Sequence, residues 1–172
     1  MSTYPIRTFG DPVLRQTSQQ IEAIDGALAA LVDSMIETMY AAPGVGLAAP
    51  QIGIAKRLFV FDAGEGPQTA INPKIVESSG TWVYDEGCLS VPGLSFEIER
   101  PDRVTFVALD LDGNEIAFEA EEFLSRVLQH EMDHLNGVLL LDHLTEEQRK
   151  EAFRELREQQ LNPSRVIPSH RL

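Results

Sequence analysis

Cysteine occurs once in these 172 residues, at Cys88. A lone thiol excludes an internal disulfide framework, and with it the small secreted scaffolds that need one. Long apolar runs are also missing. No stretch approaches the roughly 18 residues required to cross a bilayer, so a membrane-spanning protein is not expected. Basic side chains are scarce, 14 Lys and Arg against 27 Asp and Glu for a net charge of −13. Clustered cations are what a DNA surface requires, so no DNA partner is expected. Met1 to Phe9 carries neither an apolar signal core nor an Arg/Ser-rich transit stretch, so the expected location is the cytoplasm.

What is present suits one folded domain over residues 1–172, with 43% apolar and 24% charged residues. The charge is uneven. Residues 146–172 hold six Arg and Lys against five Glu, net +1, which leaves −14 for the remainder. This tail is therefore the part that an anionic partner would repel least.

From Asp25 to Tyr40, Leu28, Leu31, Val32, Met35, Ile36 and Met39 recur with helical spacing, and Ala41-Ala42-Pro43-Gly44 ends the run. Short apolar segments then alternate with turn residues. Arg57 to Asp62, Thr69 to Val76, Leu94 to Ile98, Val104 to Leu111 and Glu115 to Phe118 read as strands, with a hairpin at Asp112-Gly113. Pro73 marks the second of them as an edge or a broken strand. A helix follows from near Glu121 to the Asn136-Gly137 cap, and a last one opens at Thr145, whose capping box uses Gln148, and runs to Leu161. Pro163 to Leu172 has little to hold it and is expected to lack order.

The middle helix carries His130-Glu131-Met132-Asp133-His134. Imidazoles four residues apart share one helix face and can bind one divalent ion, with Glu131 placed to reach a water on it. Phe123, Val127, His130 and His134 form one stripe and Leu124, Leu128, Glu131 and Leu135 the next, so the motif points inward. Glu122, Arg126, Gln129 and Asp133 are expected on the solvent side.

A catalytic ion usually has three protein ligands. The metzincin extension fails, because Leu140 stands where a third histidine is needed. Glu151 or Glu155 would suit a thermolysin-like endopeptidase, but both lie on a helix charged on most sides. Cys88, bent between Gly87 and Pro92, remains; a thiolate is a strong ligand for zinc and ferrous iron.

Three segments together resemble the peptide deformylases: Gly44-Val45-Gly46-Leu47-Ala48-Ala49-Pro50-Gln51, Glu86-Gly87-Cys88-Leu89-Ser90 and Gln129-His130-Glu131-Met132-Asp133-His134. The likeness runs from about Gly10 to Leu144. It implies an α+β fold, antiparallel sheets around a central helix that carries the motif, with an N-terminal helix and a C-terminal surface helix. It also implies removal of the formyl group from N-formylmethionine on new polypeptides, releasing formate. By the same likeness Cys88, His130 and His134 hold Fe2+, replaceable by Zn2+ or Ni2+. Glu131 is then the catalytic residue, and Gln51 and the Leu89 backbone N–H bind the formyl oxygen.

The residues allow this chemistry on physical grounds. Glu131 on an apolar stripe favours its protonated form more than in water, which suits passing a proton to a leaving amine. Gly46, beside Val45, would let a peptide backbone approach closely, and Phe123 and Val127 would line a pocket for a methionine side chain, although plain core packing explains those two equally well. Arg100 is a candidate partner for Glu86, with an exposed arginine as the commoner outcome; His143 and His170 are expected at the surface or as caps. A metallo-endopeptidase and a non-catalytic metal-binding module remain as alternatives. The tail's charge contrast suggests docking at the ribosome.

Overall fold

The computed structural model describes residues 2–165 and 172. Apolar side chains alternating along an interior strand decide the layering. In β2 (Leu58–Phe61), Phe59 and Phe61 enter one cluster while Leu58 and Val60 enter another, the period-two geometry of a strand buried on both faces. Around it lies a five-stranded antiparallel sheet in the order β1 (Gly46–Ala48), β2, β3 (Gln68–Ser79), β6 (Arg103–Leu109), β7 (Glu115–Glu121). A separate two-stranded sheet joins β4 (Trp82–Cys88) to β5 (Val91–Arg100).

Helix α1 (Gly26–Ala41), capped where Asp25 accepts the Leu28 N–H at 2.9 Å, packs Leu28, Val32, Met35 and Met39 against Leu58, Val60 and Ile71. On the opposite face Val127, Leu128 and Leu135 of α2 (Glu122–Leu135) meet Phe59, Phe61 and Phe106. A third cluster joins Cys88, Val91 and Ile98 to Leu140, Leu141, Leu144 and Ala152, the last from α3 (Glu146–Leu161). Thr145 and Gln148 form the expected capping box. Among the described residues no helix is long and apolar enough to cross a membrane.

Some sequence-based expectations change. Pro73 does not place its strand at an edge: β3 lies between β2 and β6, and its register shifts between Ile71 and Lys74, which is how the sheet absorbs a residue without an N–H. Strands β1 and β4 were not expected. The supposed solvent side of α2 is partly interior, since Arg126 is 1% and Gln129 8% exposed. Arg126 turns toward β4 and β5, where it meets backbone carbonyls and Glu86, and Gln129 donates to the Pro101 carbonyl and to Ser125 Oγ. Pro163–Arg165 form a 3-10 turn and Leu172 is buried, so the expected lack of order does not hold there. Residues 166–171, His170 included, lie outside the described residues.

Candidate active site

Helix α2 ends cleanly because Gly137 takes φ +73° just beyond its cap, where an added Cβ would also lie 2.6 Å from the Arg15 carbonyl oxygen. That stop leaves His130 and His134 on the last two turns, facing the end of β4. There the β4–β5 register shifts between Gly87 and Cys88. The irregularity aims the thiol at the helix.

One ligand atom from each of Cys88, His130 and His134 lies within 4.8 Å of the others, and all three residues are buried. Cys88 Sγ is 3.3 Å from His134 Nε2. Two donors bound tetrahedrally to one ion at 2.0–2.3 Å stand about 3.5 Å apart, so the spacing fits. His130 Nδ1 lies 2.9 Å from a Glu86 carboxylate oxygen, which fixes its proton there and leaves Nε2 with its lone pair. Among the described residues, His130 Nε2, both Glu131 carboxylate oxygens and His134 Nδ1 are buried without a hydrogen-bond partner. Buried polar atoms rarely stay unpaired, and His130 and His134 each bring a ring nitrogen to the Cys88 thiol. The donor set fits one metal ion.

Electrostatics agree. Burial alone would push the Cys88 thiol up, but the charges of His134 and His130 hold it well below its usual value. Burial pushes Glu131 up to about 7, with His130 and His134 opposing. Glu86 moves the other way: burial would raise it, yet hydrogen bonds from His130 and Arg100 hold it well below the usual carboxylate range.

Gln51 sits in the 3-10 turn Ala49–Ile52 that follows β1. Its carbonyl oxygen accepts the Ala48 N–H at 2.9 Å, so the amide nitrogen turns to Ser90 Oγ at 3.2 Å and Cys88 Sγ at 3.8 Å. Leu89 follows Cys88 and is buried with the α1 cluster. Gly46 makes room for a side chain of this chain: an added Cβ would lie 2.8 Å from the Glu131 carboxyl carbon. Val127 is fully buried, and Val45 and Phe123 are partly buried against the same cluster. The Phe123 ring stands 6.0 Å from that of Tyr84.

Sequence reasoning missed Arg126 and Ser90 and left the Glu86–Arg100 pair as the less common outcome. Arg100 donates to Glu86 at 2.8 and 3.0 Å and to Asp133 at 2.7 Å, and Arg126 donates to Glu86 at 2.6 Å. His143 lies at the surface as expected, where its Nε2 stands 2.7 Å from an Asp133 carboxylate oxygen. The signal was available: Arg126 stands four residues before His130, on the side of the helix that the motif turns inward.

A thiol and two imidazoles gathered for one ion, with a neutral-leaning carboxyl group beside them in an α+β frame, define a metal-dependent hydrolase. Comparison with known proteins narrows this. The polypeptide deformylase family model matches residues 3–150. Peptide deformylase 1 of Clostridium acetobutylicum is 54% identical over 146 residues, covering 85% of this chain and 97% of that protein. A peptide deformylase structure from Legionella pneumophila superposes with a TM-score of 0.89 at 39% identity, covering 96% of this chain and 99% of the other. One from Ehrlichia chaffeensis in complex with actinonin gives 0.88 at 41%, covering 92% and 98%. The chain belongs to the polypeptide deformylase family.

Proposed function

We propose that this chain, as one catalytic domain over residues 1–172, hydrolyses the formamide of N-formylmethionine on nascent polypeptides. Water and the formylated amine are consumed; formate and a free amino terminus are released. Cys88, His130 and His134 hold the ion, Fe2+ in the cell and replaceable by Zn2+ or Ni2+, since one thiolate and two imidazoles suit these metals. When bound, the ion supplies Lewis-acid activation of water and of the formyl carbonyl.

The chain's own residues do the rest. Glu131 accepts the proton of the attacking water and returns it to the leaving nitrogen, a role suited to a carboxyl group raised to about 7. The Gln51 amide, pinned by its bond to the Ala48 N–H, and the Leu89 backbone N–H donate to the formyl oxygen as negative charge grows there. Glu86 holds the His130 ring in the tautomer that leaves Nε2 free. Val45 and Gly46 flank the incoming peptide, and Phe123 with Val127 receives the methionine side chain. The observation that carries this reading is the gathering of Cys88, His130 and His134 ligand atoms within 4.8 Å of one another, next in the chain to a buried Glu131 carboxyl group without a hydrogen-bond partner.

Anaerobic purification, metal analysis and a formate-release assay on formyl-Met-Ala-Ser test it. The expected result is one ion per chain and turnover lost on metal removal; casein cleavage without formate release would refute it. Cytoplasmic residence and docking of residues 146–172 at the ribosome complete the reading, the latter motivated by the +1 charge of that segment against −14 elsewhere. Ribosome pelleting should weaken when its basic residues are neutralised.

A further inference from the structure

Leu172 is 0% exposed although it follows a helix that is mostly on the surface. Its N–H donates to the Gly87 carbonyl at 3.2 Å, one residue from Cys88. Its side chain belongs to the apolar cluster that contains Val127, with Val45 and Phe123 packed against it. Among the described residues strand β4 pairs only with β5, so its other edge offers backbone groups to an added peptide, and Leu172 uses one of them. Residue 172 also lies outside residues 3–150, the segment matched by the family model. Family membership therefore implies nothing about it.

We propose that Leu172 is an intramolecular competitor for the substrate's first side chain, so that a residue of this chain lowers its own apparent affinity for peptide. The inference rests on the proposed placement of that side chain near Val45, Phe123 and Val127. Leucine and methionine have similar apolar volume, and the N–H to Gly87 supplies the backbone contact that an extended peptide would make. As part of the same chain, Leu172 competes at an effective concentration of about 1 mM. Even an intrinsic affinity near 0.5 mM then fills about two thirds of the molecules and raises KM about threefold, leaving kcat unchanged because saturating substrate displaces the competitor.

Two full-length variants test this, Leu172→Asp and the milder Leu172→Ala. In each, KM for formyl-Met-Ala-Ser should fall about threefold at constant kcat, and a synthetic peptide of residues 167–172 should inhibit Leu172→Asp competitively. Calorimetric titration with unformylated Met-Ala-Ser gives a readout that needs no turnover, and its Kd should tighten by the same factor. Unchanged KM and Kd in both variants would overturn the proposal. Failure of the parent chain to release formate would strike the proposed reaction instead, while the titration would still decide whether Leu172 competes.

Discussion

Two buried carboxylates that flank His130, one as its neighbour in the chain and one as its hydrogen-bond partner, have opposite fates. Glu131, on the side of α2 that faces the thiol, has no hydrogen-bond partner among the described residues and is pushed up to about 7. Glu86, on the other side of His130, is equally buried but receives Arg100, Arg126 and His130, and is held well below its usual range. Burial opposes ionisation of both; what differs is who donates. The paired side is scaffold, fixing the His130 ring and tying β4 to α2. The unpaired side keeps its capacity for a ligand and a moving proton. A carboxylate left neutral-leaning is the one available for chemistry.

Replacing Glu131 by Gln should give the largest effect. Size and shape are kept while both proton transfers disappear, so kcat should fall about 10⁴-fold, about 5.4 kcal/mol in the barrier. Metal content, measured by atomic absorption, should be unchanged. Full activity would remove the distinction between the two sides.

Glu86→Gln attacks the paired side and should act mainly on stability and metal affinity. Removing one charge from a buried network leaves Arg126, itself 1% exposed, short of its anion; such losses cost about 3–5 kcal/mol. Loss of the hydrogen bond to His130 should weaken metal binding about 10- to 100-fold. Denaturant midpoints and a competitive chelator titration measure the two. If turnover fell as far as in Glu131→Gln with metal affinity intact, Glu86 would belong to the chemistry.

The sequence made the unpaired side visible and hid much of the paired one, for a physical reason. His130, Glu131 and His134 are set by helical spacing, and Cys88 stands out as the lone thiol, so the metal group could be assembled from local pattern. The same periodicity found α1, α2 and α3. Arg126 and Gln129 were read as solvent-facing because their letters are polar, yet their partners are remote in the chain: Glu86, Ile98 and Trp82 for Arg126, and Pro101 for Gln129. Strand β4 was equally hidden. Val83 within it is 53% exposed while Glu86 is buried, the reverse of the alternation that marks a half-buried strand. Strand β1 spans only Gly46–Ala48, and its glycine signals clearance for Glu131 in place of a turn.

Opposite shifts also predict opposite pH dependence in the metal-free chain. Glu131 is raised from 4.5 to about 7, so the folded state holds the extra proton between those values. Its contribution is full below pH 4.5 and is lost as pH rises through 7, about 3 kcal/mol in all. Glu86 is depressed, so its contribution is present above 4.5 and is lost as pH falls toward its folded-state value. Urea midpoints of chelator-treated protein between pH 4.5 and 7 should therefore decline more steeply for the parent than for Glu131→Gln. Parallel curves would mean that Glu131 is not buried in its neutral form.

The smallest effect belongs to the outer end of the paired side. Asp133 receives Arg100 and His143, but its side chain is 23% exposed, against 0% for Glu86. Water can take the place of a lost partner there, so Asp133→Asn should cost about 1 kcal/mol, less than a third of the Glu86→Gln loss. Arg100 remains held by Glu86 through two hydrogen bonds, so the His130 ring should stay in place and metal affinity should change less than about threefold. A double-mutant cycle of Asp133→Asn with Glu86→Gln measures whether the two anions act through Arg100 as one unit. Coupling above about 1 kcal/mol would extend the scaffold to the surface, and coupling near zero would end it at Arg100.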